Sequence, residues 1–317
     1  MVAVISVAGI AVEPGQRVMR EVTAQVAGRT VTVPIIAING AADGPRVTIT
    51  GGVHGAEYVG IEAARRLGIG IDPRDVSGSI VVVPIANTTA FHARAIYTSG
   101  LDDRNVNRQF PGDAHGAPSE ALADWLFTQV IRPSRYYIDL HGGDMIEALA
   151  PFVIYVGTED AEVERTAREM ALATDIPRVI RAVTSGSTSA AATAAGIPSI
   201  LAEIGGQGVW SEDEVAAHQE GALRVLRYLR VLPGDLPINR ERPIHDTFAW
   251  MRAEVDGLFH STVRVGETVA EGQPIGRITD YFGAERQRLA AVVRGEVGFL
   301  VTALAINAGD PLLAIIA

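Results

Sequence analysis

Four residues of this chain have the types and spacing of a hydrolytic metal site. In GGVHGAEYVG an apolar, strand-like run ends in two glycines, His54 follows, and Glu57 comes three residues later where a helical pattern begins. An i, i+3 pair in one helical turn faces one way. Imidazole and carboxylate suit Zn²⁺, and a catalytic zinc takes three protein ligands and leaves its fourth position to water. DLHGG ends a second apolar run with His141, and AEIGG ends a third with Glu203. In an open parallel sheet the carboxyl ends of the strands line the ligand crevice, so three strand ends deliver His/Glu, His and Glu to one place. The expectation is that His54, Glu57 and His141 hold the metal, with Glu203 beside them.

Each piece alone has a plainer reading. A single HxxE arises by chance, and His141 could be an ordinary strand-end histidine. Glu203 is harder to dismiss, because a carboxylate inside an apolar strand is costly unless paired or metal-bound. The remaining histidines, His92, His115, His218, His245 and His260, read as surface or structural.

The elements that would position these residues follow from hydrophobic periodicity. RTVTVPIIAI alternates with period two, and Asp43-Gly44 signals a turn into RVTITGG. From there strand-like runs (SIVVVPIA, RYYIDLHG, APFVIYVG, PSILAEIGG) alternate with helix-like stretches such as AEYVGIEAARRLG, SEALADWLFTQVI and DAEVERTAREMALAT. That alternation argues for an α/β domain on a mixed, mostly parallel sheet flanked by helices. A proline-rich polar stretch, LPGDLPINRERPIHD, reads as a linker, giving an α/β domain over 1–235 and an all-β module over 236–317. The module carries a weak internal repeat of two Gly-turn and apolar-strand halves, similar to the sandwich-barrel hybrid of biotinyl and lipoyl carrier domains. Its hairpin region, TDYFGAERQRLAA, has no lysine to carry a cofactor. The module is then a lid, a substrate-shaping wall or an oligomer contact.

Composition removes other chemistries. All 27 basic residues are Arg, so no lysine can form a Schiff base or serve a P-loop. Cysteine is absent, which excludes disulfides, thiol nucleophiles and thiolate metal sites. A net charge of −10 disfavours nucleic acid and anionic membrane as partners, leaving a small molecule. The apolar start lacks a basic flank and a cleavage signature, and no segment is a membrane span, so a soluble, cytoplasmic protein is expected.

GGVHGAE, NVNRQFPG, DLHGG and AEIGG, in that order, resemble the succinylglutamate desuccinylase/aspartoacylase family of zinc carboxypeptidase-like deacylases, in particular its N-acetyl-diaminobutyrate deacetylase-like branch. The resemblance implies a metallocarboxypeptidase-like fold with a small C-terminal β module, Zn²⁺ on His54, Glu57 and His141, and Glu203 as general base. It also matches Asn107 and Arg108 to the pair that binds a substrate carboxylate. Arg offers a planar fork for that bidentate pairing, the plainer alternative being a fold-stabilising ion pair. Asn105 is placed to orient a zinc-bound histidine. One departure stands out: where related deacylases carry an arginine that polarises the scissile carbonyl, this chain has Tyr97. The Tyr97 hydroxyl, Arg94 or Arg104 could replace it, or the metal could supply most of the stabilisation, with Arg104, nearest the Asn-Arg pair, placed first.

The expected reaction is hydrolysis of the amide of a small N-acylated amino acid or diamine. Two rivals are a peptidase using the same centre on short peptides and a non-catalytic small-ligand-binding protein. A homo-oligomer through the C-terminal module is a further expectation.

Overall fold

The computed structural model describes residues 2–317. A nine-stranded mixed sheet forms the centre. Its strands run in the order Ile244–His245, Arg178–Ala182, Phe152–Val156, Ser199–Glu203, Tyr136–His141, Ala42–Gly51, Ser77–Val83, Arg29–Asn39 and Gln16–Val26. The three strands that end in the motif residues, Ala42–Gly51, Tyr136–His141 and Ser199–Glu203, are neighbours and mutually parallel. Phe152–Val156 runs antiparallel to Ser199–Glu203, and Arg29–Asn39 and Gln16–Val26 form an antiparallel hairpin at the far edge.

Strands of a sheet covered on both faces should be apolar on both faces, and Ile80 to Val83 illustrate it. Ile80 and Val82 point into one core with the helices Tyr58–Gly70, Ala161–Ala173 and Glu212–Tyr228; Val81 and Val83 point into the other with Pro118–Leu126 and its continuation Phe127–Ile131. The helices start where capping chemistry says they should: Asp160 and Ser211 accept backbone N–H groups of the first turns that follow them.

Two sequence expectations shift. Asp43-Gly44 is not a turn before a strand but lies inside Ala42–Gly51, at an irregularity in its pairing with Ser77–Val83. The proline-rich stretch is not wholly a linker, because Ile244–His245 adds a parallel edge strand to the main sheet and Leu236, Ile238 and Ile244 pack on its core.

The C-terminal residues form two antiparallel sheets around their own core, which includes Phe259, Val297, Phe299 and Leu313. One contains Phe248–Arg252, Pro311–Ile316, Gly295–Val301 and Thr268–Val269; the other contains Glu285–Ala290, Pro274–Thr279, Gly257–Ser261 and Ala305–Ile306. The short strand Glu147–Leu149, which follows the His141 strand, pairs with Gly295–Val301 and joins this module to the strand ends of the main sheet. No helix among the described residues is long and apolar enough to cross a membrane.

Candidate active site and metal centre

Register brings the motif residues together. Glu203 pairs with His141, and Leu140 pairs with Gly51, so three strand ends finish level with one another. Beyond Gly51 the chain bends through Gly52, whose φ of +64° is a conformation few other residues adopt, and reaches His54. Glu57 caps the helix Tyr58–Gly70. That helix sits hard against the His141 strand: a Cβ on Gly60 would lie 2.5 Å from the Leu140 carbonyl oxygen. The close approach sets Glu57 between the two histidines.

Glu57 Oε1 is 2.6 Å from His54 Nδ1, and Glu57 Oε2 is 2.7 Å from His141 Nδ1. One ligand atom from each of the three residues lies within 4.8 Å of the others, and all three side chains are buried. The outer ring nitrogens are tied off. His54 Nε2 donates to Asn105 Oδ1 at 3.0 Å, and His141 Nε2 donates to Asp139 Oδ2 at 3.0 Å. Each imidazole therefore turns its Nδ1 toward the common centre, with an outer acceptor fixing its orientation, as zinc-bound histidines require. The donor set fits Zn²⁺. The three residues also favour one another's charged forms: burial opposes charge on Glu57, but His141 and His54 hold its carboxyl well below the usual range, and Glu57 in turn raises both histidines against their burial.

Glu203 differs from its neighbours. It follows Ala202 on its strand, and its Oε2 is buried with no hydrogen-bond partner. Burial pushes its carboxyl well above the usual range, an effect His141 opposes and Glu57 reinforces. Glu203 thus keeps one buried carboxyl oxygen without a protein partner beside a metal-type donor set, an acceptor left free for a reactant.

The expected substrate-side residues separate into two groups. Asn105 caps the short turn Val106–Arg108 by accepting from Asn107 N at 2.8 Å while also holding His54, which makes that loop part of the metal centre. Asn107 is buried, and its Oδ1 accepts from Thr188 N at 2.9 Å. Arg108 lines the cleft and donates to the Asn107 carbonyl; among the described residues no carboxylate is within ion-pair distance of it. Arg104 instead pairs with Glu120 at 3.2 Å, is half exposed, and is not among the cleft-lining residues. Arg94 ends the helix Thr88–Ala93 in a left-handed conformation and does not line the cleft either. Of the three candidates for the missing arginine only Tyr97 reaches the cleft. Its N–H donates to Asp144 Oδ2 at 2.8 Å, its hydroxyl donates to Glu147, and its ring stands edge-on to His54 at 6.4 Å.

Reading the sequence did not single out Asp139, Asp144 or Glu147. Asp139 had a signal: two residues before His141 on one strand, it shares that histidine's face. It is fully buried, and it accepts from Thr50 and Thr188 as well as from His141. Glu147 had none, because its place depends on pairing with a strand about 150 residues away. Of the surface and structural alternatives for His218, the structural one holds. His218 is buried behind the site, and its Nε2 donates to the His141 carbonyl at 2.7 Å. Burial lowers it to about 4.

These residues line a cleft of about 580 Å³, whose far wall includes Phe248, Trp250 and Phe299 from the C-terminal module. A shallower depression of about 640 Å³ around Arg227, Arg230 and Leu232 shares no residue with it and has no converging metal donors.

Residues 43–229 match the family described as succinylglutamate desuccinylase/aspartoacylase catalytic domain. N-alpha-acetyl-L-2,4-diaminobutyric acid deacetylase from Halomonas elongata is 33% identical over 258 residues, 79% of this chain and 75% of that protein. The crystal structure of succinylglutamate desuccinylase/aspartoacylase from Rhodobacter sphaeroides superposes with a TM-score of 0.84 at 26% identity, covering 95% of this chain and 94% of that one. The product-bound ectoine utilization protein EutE (DoeB) from Ruegeria pomeroyi shares the fold, with a TM-score of 0.86 at 24% identity over 95% of each chain. The chain belongs to the succinylglutamate desuccinylase/aspartoacylase family of amide-hydrolysing enzymes.

Proposed function

We propose that the protein is a zinc-dependent deacylase that hydrolyses the amide of a small N-acylated amino acid or diamine. The observation that carries this reading is the buried, unpartnered Oε2 of Glu203 in register with His141 and beside the His54–Glu57–His141 donor set. When bound there, zinc would supply a Lewis acid that polarises the scissile carbonyl and acidifies water.

The chain's own residues do the rest. Glu203 takes a proton from the attacking water and returns it to the amine nitrogen as the C–N bond breaks, yielding a free acid and a free amine. Arg108, its guanidinium without an acidic partner, pairs with the carboxylate of the amine half. Asn107 fastens the Arg108 turn to Thr188 and leaves its amide nitrogen for the same carboxylate. Tyr97 is the candidate for the carbonyl side, its hydroxyl exchanging the bond to Glu147 for one to the carbonyl oxygen as the substrate enters; burial and Glu147 keep that hydroxyl protonated. Arg104, held by Glu120, is the weaker candidate for that task.

The diaminobutyrate deacetylase relative supports a small N-acyl substrate. So does the position of the C-terminal module, whose Phe248, Trp250 and Phe299 wall the cleft and leave less room for a peptide than an open groove would. Assembly into a homo-oligomer is proposed to use that module's hairpin tip, where Tyr281 and Phe282 are exposed. The enzymatic reading is tested by offering N-acylated amino acids, N-acylated diamines and short peptides to the zinc-loaded protein and measuring released amine. Release from peptides alone would replace it with a peptidase, and a bound but uncleaved ligand with a binding protein.

A further inference from the structure

One face of the central sheet runs without interruption from the metal centre into an apolar shelf. Asp139 and His141 lie on one face of their strand; Leu201 and Glu203, their register partners, lie on the same face of the next. In the following strand Phe152 pairs with Glu203 and Ile154 with Leu201, and beyond it Ile180 pairs with Ile154. Adjacent strands are about 4.8 Å apart, so this shelf begins one strand from Glu203 and extends roughly 10 Å from it. Instead of a helix, the C-terminal module covers it with an aromatic chain: Phe152 meets Phe248 at 5.3 Å between centroids, Phe248 meets Trp250 at 5.1 Å, and Trp250 meets Phe299 at 4.9 Å. All of these side chains line the cleft that holds Glu203 and Arg108.

Charge is confined to the other end and the rim. Arg181 is committed to Glu164 at 2.7 Å, Asp246 is exposed, and Glu147 is engaged by Tyr97 and by the Asp144 amide.

The deacylase reading fixes which half of the substrate meets the shelf. Glu203 protonates the departing nitrogen, so the amine half lies nearest Glu203, and Arg108 takes that half's carboxylate. The side chain of the same amino acid then falls on the surface that continues from Glu203. We infer that the amino acid released by this enzyme has a large apolar side chain, aromatic or branched aliphatic, and not a charged one. The inference rests on the deacylase reading and adds the substrate class.

The test holds the acyl group constant and varies the amine. The zinc-loaded protein is offered the N-acetyl and N-succinyl derivatives of phenylalanine, leucine, glycine, aspartate and 2,4-diaminobutyrate. Burying a Leu- or Phe-sized group should raise kcat/KM for the first two about ten- to a hundredfold over glycine. Trp250→Ala, at a half-exposed position, should lower turnover of the phenylalanine derivative at least about fivefold more than that of the glycine derivative. Equal or faster release from the glycine, aspartate or diaminobutyrate derivative overturns this inference alone. So does a Trp250→Ala variant that slows every substrate equally. Release from none of the ten overturns the deacylase reading and the inference with it.

Discussion

The two ends of the cleft are built by different physics. At the metal end every functional atom has a direction. His54 and His141 are aimed by hydrogen bonds from Nε2 to Asn105 and Asp139, Asp139 is held by two threonines, and Glu57 is fixed by a helix start with no room for a Cβ at Gly60. At the aromatic end, the side chains of Phe152, Phe248, Trp250 and Phe299 meet through area, and no side-chain hydrogen bond aims them. Directional sites fail when one atom is lost, whereas apolar walls lose affinity in proportion to surface. Changes at the metal end should therefore be abrupt and changes at the aromatic end graded.

The largest expected effect is on the metal itself. His141→Ala should reduce bound zinc from about one per chain to almost none, measured by elemental analysis after dialysis, and abolish turnover with it. Full zinc content in that variant would remove His141 from the donor set. Next comes Glu203→Gln, nearly isosteric but unable to accept a proton. It should keep fold and zinc and lose about 10² to 10⁴ in kcat. A kcat close to that of the unaltered enzyme would place the base elsewhere.

Arg108→Ala sharpens the contrast, because its proposed partner is the substrate and not the metal or the aromatic wall. It should cost about ten- to a hundredfold in kcat/KM for N-acyl amino acids and little for the matching N-acyl amines without a carboxylate. Equal losses on both would assign Arg108 to holding its loop.

The smallest effect is on stability and comes from Glu147. Burial raises its carboxyl to about 7, outweighing the hydrogen bonds from Tyr97 and the Asp144 amide that pull it down. A folded value above the unfolded one means that the native state binds the proton more tightly. The associated stability is complete below about pH 4.3 and lost as pH rises through about 7. Glu147→Gln should remove that dependence, gaining about 1 to 3 kcal/mol on the unaltered protein between pH 5 and pH 8 in denaturant titrations of the metal-free forms. Parallel pH profiles for the two proteins would show that Glu147 titrates normally.

The same division explains what could be read from the chain. The alternating strands and helices were legible because each carries its periodicity locally, and the metal donors were legible because His54 and Glu57 share one turn while His141 and Glu203 end apolar runs. Adjacency of those runs in the sheet turns three separate motifs into one site. Glu147 and the aromatic wall were not legible, since Phe152, Phe248 and Phe299 come together only through pairings that span the molecule. Arg104 looked suitable by its closeness in sequence to Asn107, but the loop points it to Glu120. Ile244–His245 was masked by the prolines and charges around it, and two residues are too few to show a period.

The pairing of Phe248–Arg252 with Pro311–Ile316 has a consequence for synthesis. The three metal donors and Glu203 lie within residues 54–203, whereas the strand carrying Phe248 and Trp250 gains its partner only when residues 311–316 have left the ribosome. At ~5–20 residues per second that interval is roughly 5 to 20 s. During it the nascent chain can assemble its donor set while the aromatic wall is still open to solvent, so the metal can be loaded without the finished cleft having to open.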